Sequence, residues 1–154
     1  MTFKSTFEAG HLAYERGHFR KAFSLFERGA EGGDVDCMIR LGVMYTCGEG
    51  VACDYDKAIA WEHKASESGN TSALLNLGIT YRIKGELRQA RHWFEKALDA
   101  GDTEAALELA RLYLISDLEV ETVKQYLEMV QLGENVCEAS KEKAELLLKE
   151  LGGH

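Results

Sequence analysis

Few residues in this chain have both the type and the spacing to do chemistry. Its cysteines are Cys37, Cys47, Cys53 and Cys137. They form no Cys-x-x-Cys pair and no zinc-ribbon spacing, so they are expected to be free thiols packed as small apolar groups. Cys47 and Cys53 flank a short loop and are the pair that an oxidising compartment would join. The histidines are His11, His18, His63, His92 and His154. No His-Glu-x-x-His pattern links them, and a metal site is not expected. Gly48-Glu49-Gly50 lacks the third glycine of a dinucleotide loop and the Gly-Lys-Ser/Thr of a phosphate loop, which leaves a structural turn. Asp54 and Asp56 are too few for a calcium loop and suit the start of a helix. There is no Gly-x-Ser-x-Gly around a serine nucleophile. The expectation is a chain without catalytic residues, metal or cofactor.

Composition agrees. The chain has 154 residues, 18 Lys+Arg against 26 Asp+Glu, a net charge of −8, 45% hydrophobic residues and no proline. That length suits one domain with a sizeable core. Average usage would supply roughly 7–8 prolines, and their absence favours helices over a many-turned sandwich or barrel. Nucleic acid and anionic membranes are disfavoured as partners, because phosphate binding needs clustered Lys and Arg. A partner with a basic surface is the easier electrostatic match. Residues 1–8 lack the apolar core of a secretory signal, and no stretch reaches the roughly 18 apolar residues of a spanning helix. The expected location is cytoplasmic.

The elements that would position these residues come from an internal repeat. Leu41-Gly42-Val43-Met44-Tyr45 is answered by Leu77-Gly78-Ile79-Thr80-Tyr81, then by Leu109-Ala110-Arg111-Leu112-Tyr113, with a weaker first copy at Ala9-Gly10-His11-Leu12-Ala13. A second block travels with it. Lys57-Ala58-Ile59-Ala60-Trp61 matches Gln89-Ala90-Arg91-His92-Trp93 and Lys21-Ala22-Phe23-Ser24-Leu25. In the fourth copy, Thr122 falls where alanine is expected and Asp117 where glycine is expected. Apolar spacing makes each unit a pair of amphipathic helices. Gly42, Gly78, Ala22, Ala58 and Ala90 are expected to let helix backbones approach closely. The units end at Gly33, Gly69, Gly101 and Gly133. Asp34, Asn70 and Asp102 then serve as helix caps. The spacing predicts helices over 3–15, 19–31, 35–46, 55–67, 71–83, 87–99, 103–115, 119–132 and 137–151. The last, with its lysines and glutamates, suits a cap on the apolar end of the array.

On these residues the chain resembles Sel-one-like repeats, a branch of the tetratricopeptide superfamily. Gly48-Glu49-Gly50-Val51, Asp54, Lys57-Ala58, Trp61 and Lys64-Ala65 are similar to that family's pattern in the second unit. The third unit has a shorter loop, Lys84 to Ala90, and is similar to an ordinary tetratricopeptide unit. The resemblance implies an all-α, right-handed solenoid of about four helix-turn-helix repeats, near 3–33, 34–69, 70–101 and 102–133, with a capping helix, all in one domain over 1–154. Cysteine-rich secreted relatives bridge a late cysteine on one second helix to an early one on the next first helix. Cys37 stands at the latter place, but Gly29 and Ala30 offer no partner, which suits a reducing compartment.

The resemblance also implies function: a non-enzymatic adaptor or scaffold that binds a protein or peptide. In this superfamily the first helix of each pair lines the concave face. The register glycines place Phe7, His11, Tyr14, Ile39, Val43, Thr46, Leu75, Ile79, Arg82, Leu107, Arg111 and Leu114 there, with Arg82 and Arg111 as isolated cations. A second reading is a dedicated inhibitor of one toxin, since an acidic inhibitor suits a basic target. A third, an enzyme, has no motif behind it. The chain is expected to be a monomer or weak homodimer.

Overall fold

The structure is a computed structural model that describes residues 3–115 and 120–152. Among them are nine helices and no strand: α1 Phe3–Glu15, α2 Phe19–Glu31, α3 Val35–Cys47, α4 Tyr55–Ser66, α5 Thr71–Lys84, α6 Leu87–Asp99, α7 Glu104–Ile115, α8 Val120–Leu132 and α9 Glu138–Gly152. Expected and observed ends differ by at most one residue. Residue 119, expected to open α8, and Asp117 and His154 lie outside the described residues.

Local chemistry sets the boundaries. Asp34 accepts a hydrogen bond from the Cys37 amide at 2.8 Å, and Asp54 accepts one from the Lys57 amide at 3.0 Å. Asn70 accepts from the Ser72 amide at 3.0 Å, and Asp102 from the Glu104 amide at 3.1 Å. Each occupies one of the orphan donors of a first helical turn. Asp56 does not cap. It pairs with Lys84 at 3.0 Å.

Consecutive helices pack as antiparallel pairs, and each pair packs on the next. The helices α1, α3, α5 and α7 form one layer. Thr46 of α3 meets Thr80 of α5 at 3.2 Å, and Arg82 of α5 meets Glu108 of α7 at 3.4 Å. The helices α2, α4, α6 and α8 form the other, where the His63 ring meets Trp93 edge-on at 4.7 Å. The described residues form an α-solenoid, with α9 packed on α8 and α7.

The core repeats with the units. Ala22 and Phe26, Ala90 and Phe94, and Val123 and Leu127 are fully buried at matching positions on the second helices. Val123, not Thr122, therefore takes the alanine position of the fourth unit, because the helix turns its β-branched apolar residue inward and leaves Thr122 half-buried. In the second unit the matching pair is Ala58 and Glu62, and Glu62 is 1% exposed.

The register glycines act differently from expectation. They do not bring two backbones together. A Cβ on Gly10 would meet the Phe26 ring at 2.7 Å, one on Gly78 would overlap the Phe94 ring, and one on Gly42 would meet Glu62 Cγ at 2.5 Å. Each glycine makes room for one large side chain from the second helix of its own unit.

The cysteines also depart from expectation. Only Cys37 is buried; Cys47, Cys53 and Cys137 are exposed. The Cys37 thiol packs on Gly29, the place where a bridging cysteine would stand. Burial pushes that thiol up to about 12. A thiol reagent at pH 8 is therefore expected to modify three cysteines in the native chain and the fourth only after denaturant is added. Four equal native rates would show that Cys37 is not sealed in the core.

Candidate protein-binding face

The layer formed by α1, α3, α5 and α7 carries the residues expected to meet a partner. At its N-terminal end Phe7 stacks on His11 at 6.1 Å and tilts against Phe26 at 5.8 Å. His11 also lies 3.3 Å from Glu15. Tyr14 donates to Glu49 at 2.6 Å, and this bond holds the Tyr14 phenol above its ordinary pKa. Arg40, which sequence reasoning did not select, lies over the rings of Tyr14 at 4.8 Å and Phe26 at 5.8 Å. Glu49 belongs to the loop after α3, so the long loop of the second unit reaches back to brace the first. Gly50 in that loop sits against the backbone of Phe19 and Arg20, where α2 begins.

In the middle of the face, Ile39, Leu75 and Ile79 are half-buried and pack partly on the core. Val43 is half-buried beside them. Thr46 donates to the Gly42 carbonyl at 3.0 Å and touches Thr80. Thr80 lies 3.0 Å from Glu62 Oε1, while Glu62 Oε2 is buried with no hydrogen-bond partner. A polar seam thus runs from the face into the core. Burial raises the Glu62 carboxyl to about 8.

At the C-terminal end two expectations are corrected. Leu107 is 3% exposed and belongs to the core between α7, α8 and α9, so it is closed to a partner. Arg82 and Arg111 are not isolated. Glu108 joins them, bonding Arg111 Nη1 at 2.8 Å and facing Arg82 Nε at 3.4 Å. Leu114 remains half-buried against the last core cluster. Sequence reasoning missed Glu108, and it also missed Ile83 and Ile115, exposed by 45% and 68% at one shared register position. The repeat alignment held that signal, because both follow directly on the inward column at Arg82 and Leu114.

Outside this face, Leu12 matches Thr80 in register but is 47% exposed. With Ala9, Ala13, Leu25, Arg16, His18 and Lys21 it lines a shallow depression on the end of the first unit. Among the described residues no three His, Cys, Asp or Glu are grouped to hold a metal, and no helix is long and apolar enough to cross a membrane.

Residues 5–34, 35–70 and 71–102 each match the Sel1 repeat model, and the chain belongs to the Sel1 repeat family. Sel1 repeats generally mediate protein–protein interaction, and the family is generally a non-enzymatic module. Two solved structures share the fold. A Sel1 repeat protein from Oxalobacter formigenes matches at 23% identity and a TM-score of 0.68, over 83% of this chain and 57% of its own. A protective antigen present in uropathogenic Escherichia coli strains, displaying an SLR fold, matches at 20% identity and a TM-score of 0.72, over 99% of this chain and 38% of its own. This chain thus spans 57% and 38% of the lengths of those two proteins. No curated protein matches it.

Proposed function

We propose that the chain is an adaptor whose concave face, the layer of α1, α3, α5 and α7, binds a segment of another protein. One observation carries this reading. Half-buried side chains recur in matching columns on α3, α5 and α7: Ile39 and Val43, then Leu75, Ile79 and Arg82, then Arg111 and Leu114, apolar but for the two arginines. A hydroxyl contact between Thr46 and Thr80 and an ion pair between Arg82 and Glu108 link those helices. Apolar area interrupted by arginine is the composition of binding anchors. The net charge of −8 favours a partner with a basic surface, since long-range attraction raises the association rate. It equally supports a second reading, a dedicated inhibitor of one basic toxin. Three exposed thiols suit a reducing compartment, and a cytoplasmic location is part of the proposal.

Ile79→Asp tests the face. The tagged chain is expected to retain a stoichiometric partner from its native cell, and the variant to lose it while keeping its helical circular dichroism. Retained binding would remove the concave face from the proposal. Several partners would favour the adaptor, and one basic partner the inhibitor.

A further inference from the structure

We propose that the C-terminal half of this face is a carboxylate-reading subsite, in which Arg82 and Arg111 together take one Asp or Glu side chain of the partner segment. Ile83 and Ile115 would hold its apolar neighbours. The inference rests on the binding face described above and adds the chemistry of its ligand.

The charge count of the cluster comes first. Two guanidiniums share one carboxylate, so Arg82, Glu108 and Arg111 carry one net positive charge on a chain of net −8. The Glu108 side chain is 15% exposed, and the side chains of Arg82 and Arg111 are exposed by 34% and 37%. Glu108 therefore holds the two cations side by side with one positive charge left over. A guanidinium has five N–H donors and its planar fork matches a carboxylate. The pairing inside the triad is incomplete as well. Arg111 makes a direct hydrogen bond to Glu108, but Arg82 Nε and Glu108 Oε2 are both buried and neither has a hydrogen-bond partner.

Among the described residues, Asp56, Glu86 and Glu104 are engaged elsewhere. Asp56 and Glu86 hold Lys84 at 3.0 and 2.7 Å. Glu104, at the start of α7, accepts from the Cys137 amide at 2.9 Å. The other half of the face differs. There Arg40 is stacked over aromatic rings, and Glu49 is held by Tyr14. The face is thus closed on itself at one end and cationic with exposed isoleucines at the other. An acidic side chain flanked by apolar ones complements that second end. Net charge and local charge act at different ranges: the first sets the encounter rate, the second reads one side chain.

The test uses the full chain and a phage-displayed library of random twelve-residue peptides. Selected peptides are expected to place Asp or Glu between apolar residues. Their affinity should fall about tenfold or more when that acid becomes Gln, or when the chain carries Arg82→Gln and Arg111→Gln. Arg91→Glu, on the opposite layer, should change little. A chain with Arg82→Glu and Arg111→Glu should instead bind the peptide in which the acid is replaced by lysine. Peptides that are lost on Ile79→Asp but show no acid preference and no response to the arginines would overturn the subsite and leave the face standing. A library yielding no peptide that Ile79→Asp displaces would overturn both.

Discussion

Between about pH 4.5 and 8 the chain loses stability through Glu62, and Glu62→Gln is expected to remove that loss. The slope at its steepest is about 1.4 kcal/mol per pH unit for one group. The sign follows from burial. The folded chain keeps a proton on Glu62 up to about 8, whereas the unfolded carboxyl releases it near 4.5. Between those values the folded state binds the extra proton, so raising the pH favours unfolding. The contribution is whole below 4.5 and gone above about 8. Thr80 donates to Glu62 Oε1 at 3.0 Å and favours the ionised form, but burial is the larger effect and leaves Glu62 Oε2 with no hydrogen-bond partner. Denaturant unfolding of both chains at pH 5, 6, 7 and 8 checks this, and parallel curves would sink it. Glu62→Leu should be more stable than the parent at pH 8, because matching positions hold Phe26, Phe94 and Leu127 without a charge to desolvate.

Gly50→Ala is expected to cost roughly 2–5 kcal/mol, the sum of a left-handed backbone penalty and an overpacking penalty. Gly50 has φ of +73°, a region that glycine enters freely. A Cβ there would also overlap the Phe19 carbonyl and come within 2.9 Å of the Arg20 nitrogen. Both are backbone atoms and cannot swing aside. Gly69→Ala is the control. Its φ is +78°, and nothing lies within 4 Å of its Cβ position, so it should cost only the backbone penalty of roughly 1–2 kcal/mol. Thermal unfolding compares them, with about 2–4 °C of melting temperature per kcal/mol at this size. Equal losses would mean that the long loop of the second unit does not hold the first unit in place. A larger loss at Gly50 would make this loop a brace between units, as the Tyr14–Glu49 bond already indicates.

What was legible in the sequence followed from periodicity and from caps. Helical spacing repeats over the array, so the helices could be written down to within one residue among the described ones. Asp34, Asp54, Asn70 and Asp102 announced helix starts because their side chains bond amides two or three residues away, an interaction contained in the local sequence. The register glycines were located correctly and explained incorrectly. Their spacing marks a small residue, but it does not say whether a backbone or a side chain fills the vacancy.

The remaining features depend on residues far apart in the chain. Nothing in the sequence around Glu62 marks it as buried, and only the packing of α3 and α5 over α4 encloses it. Arg82 and Arg111 read as separate cations, and only the approach of α5 to α7 places Glu108 between them. Leu107 follows the inward column by period, yet α8 and α9 close over it. The sequence by itself determined the helices and their caps, because those are set by contacts within a few residues. The tertiary structure alone decided which of their side chains are sealed, paired or left facing a partner. Burial and charge at one residue are set by helices distant in sequence, and no local pattern records them.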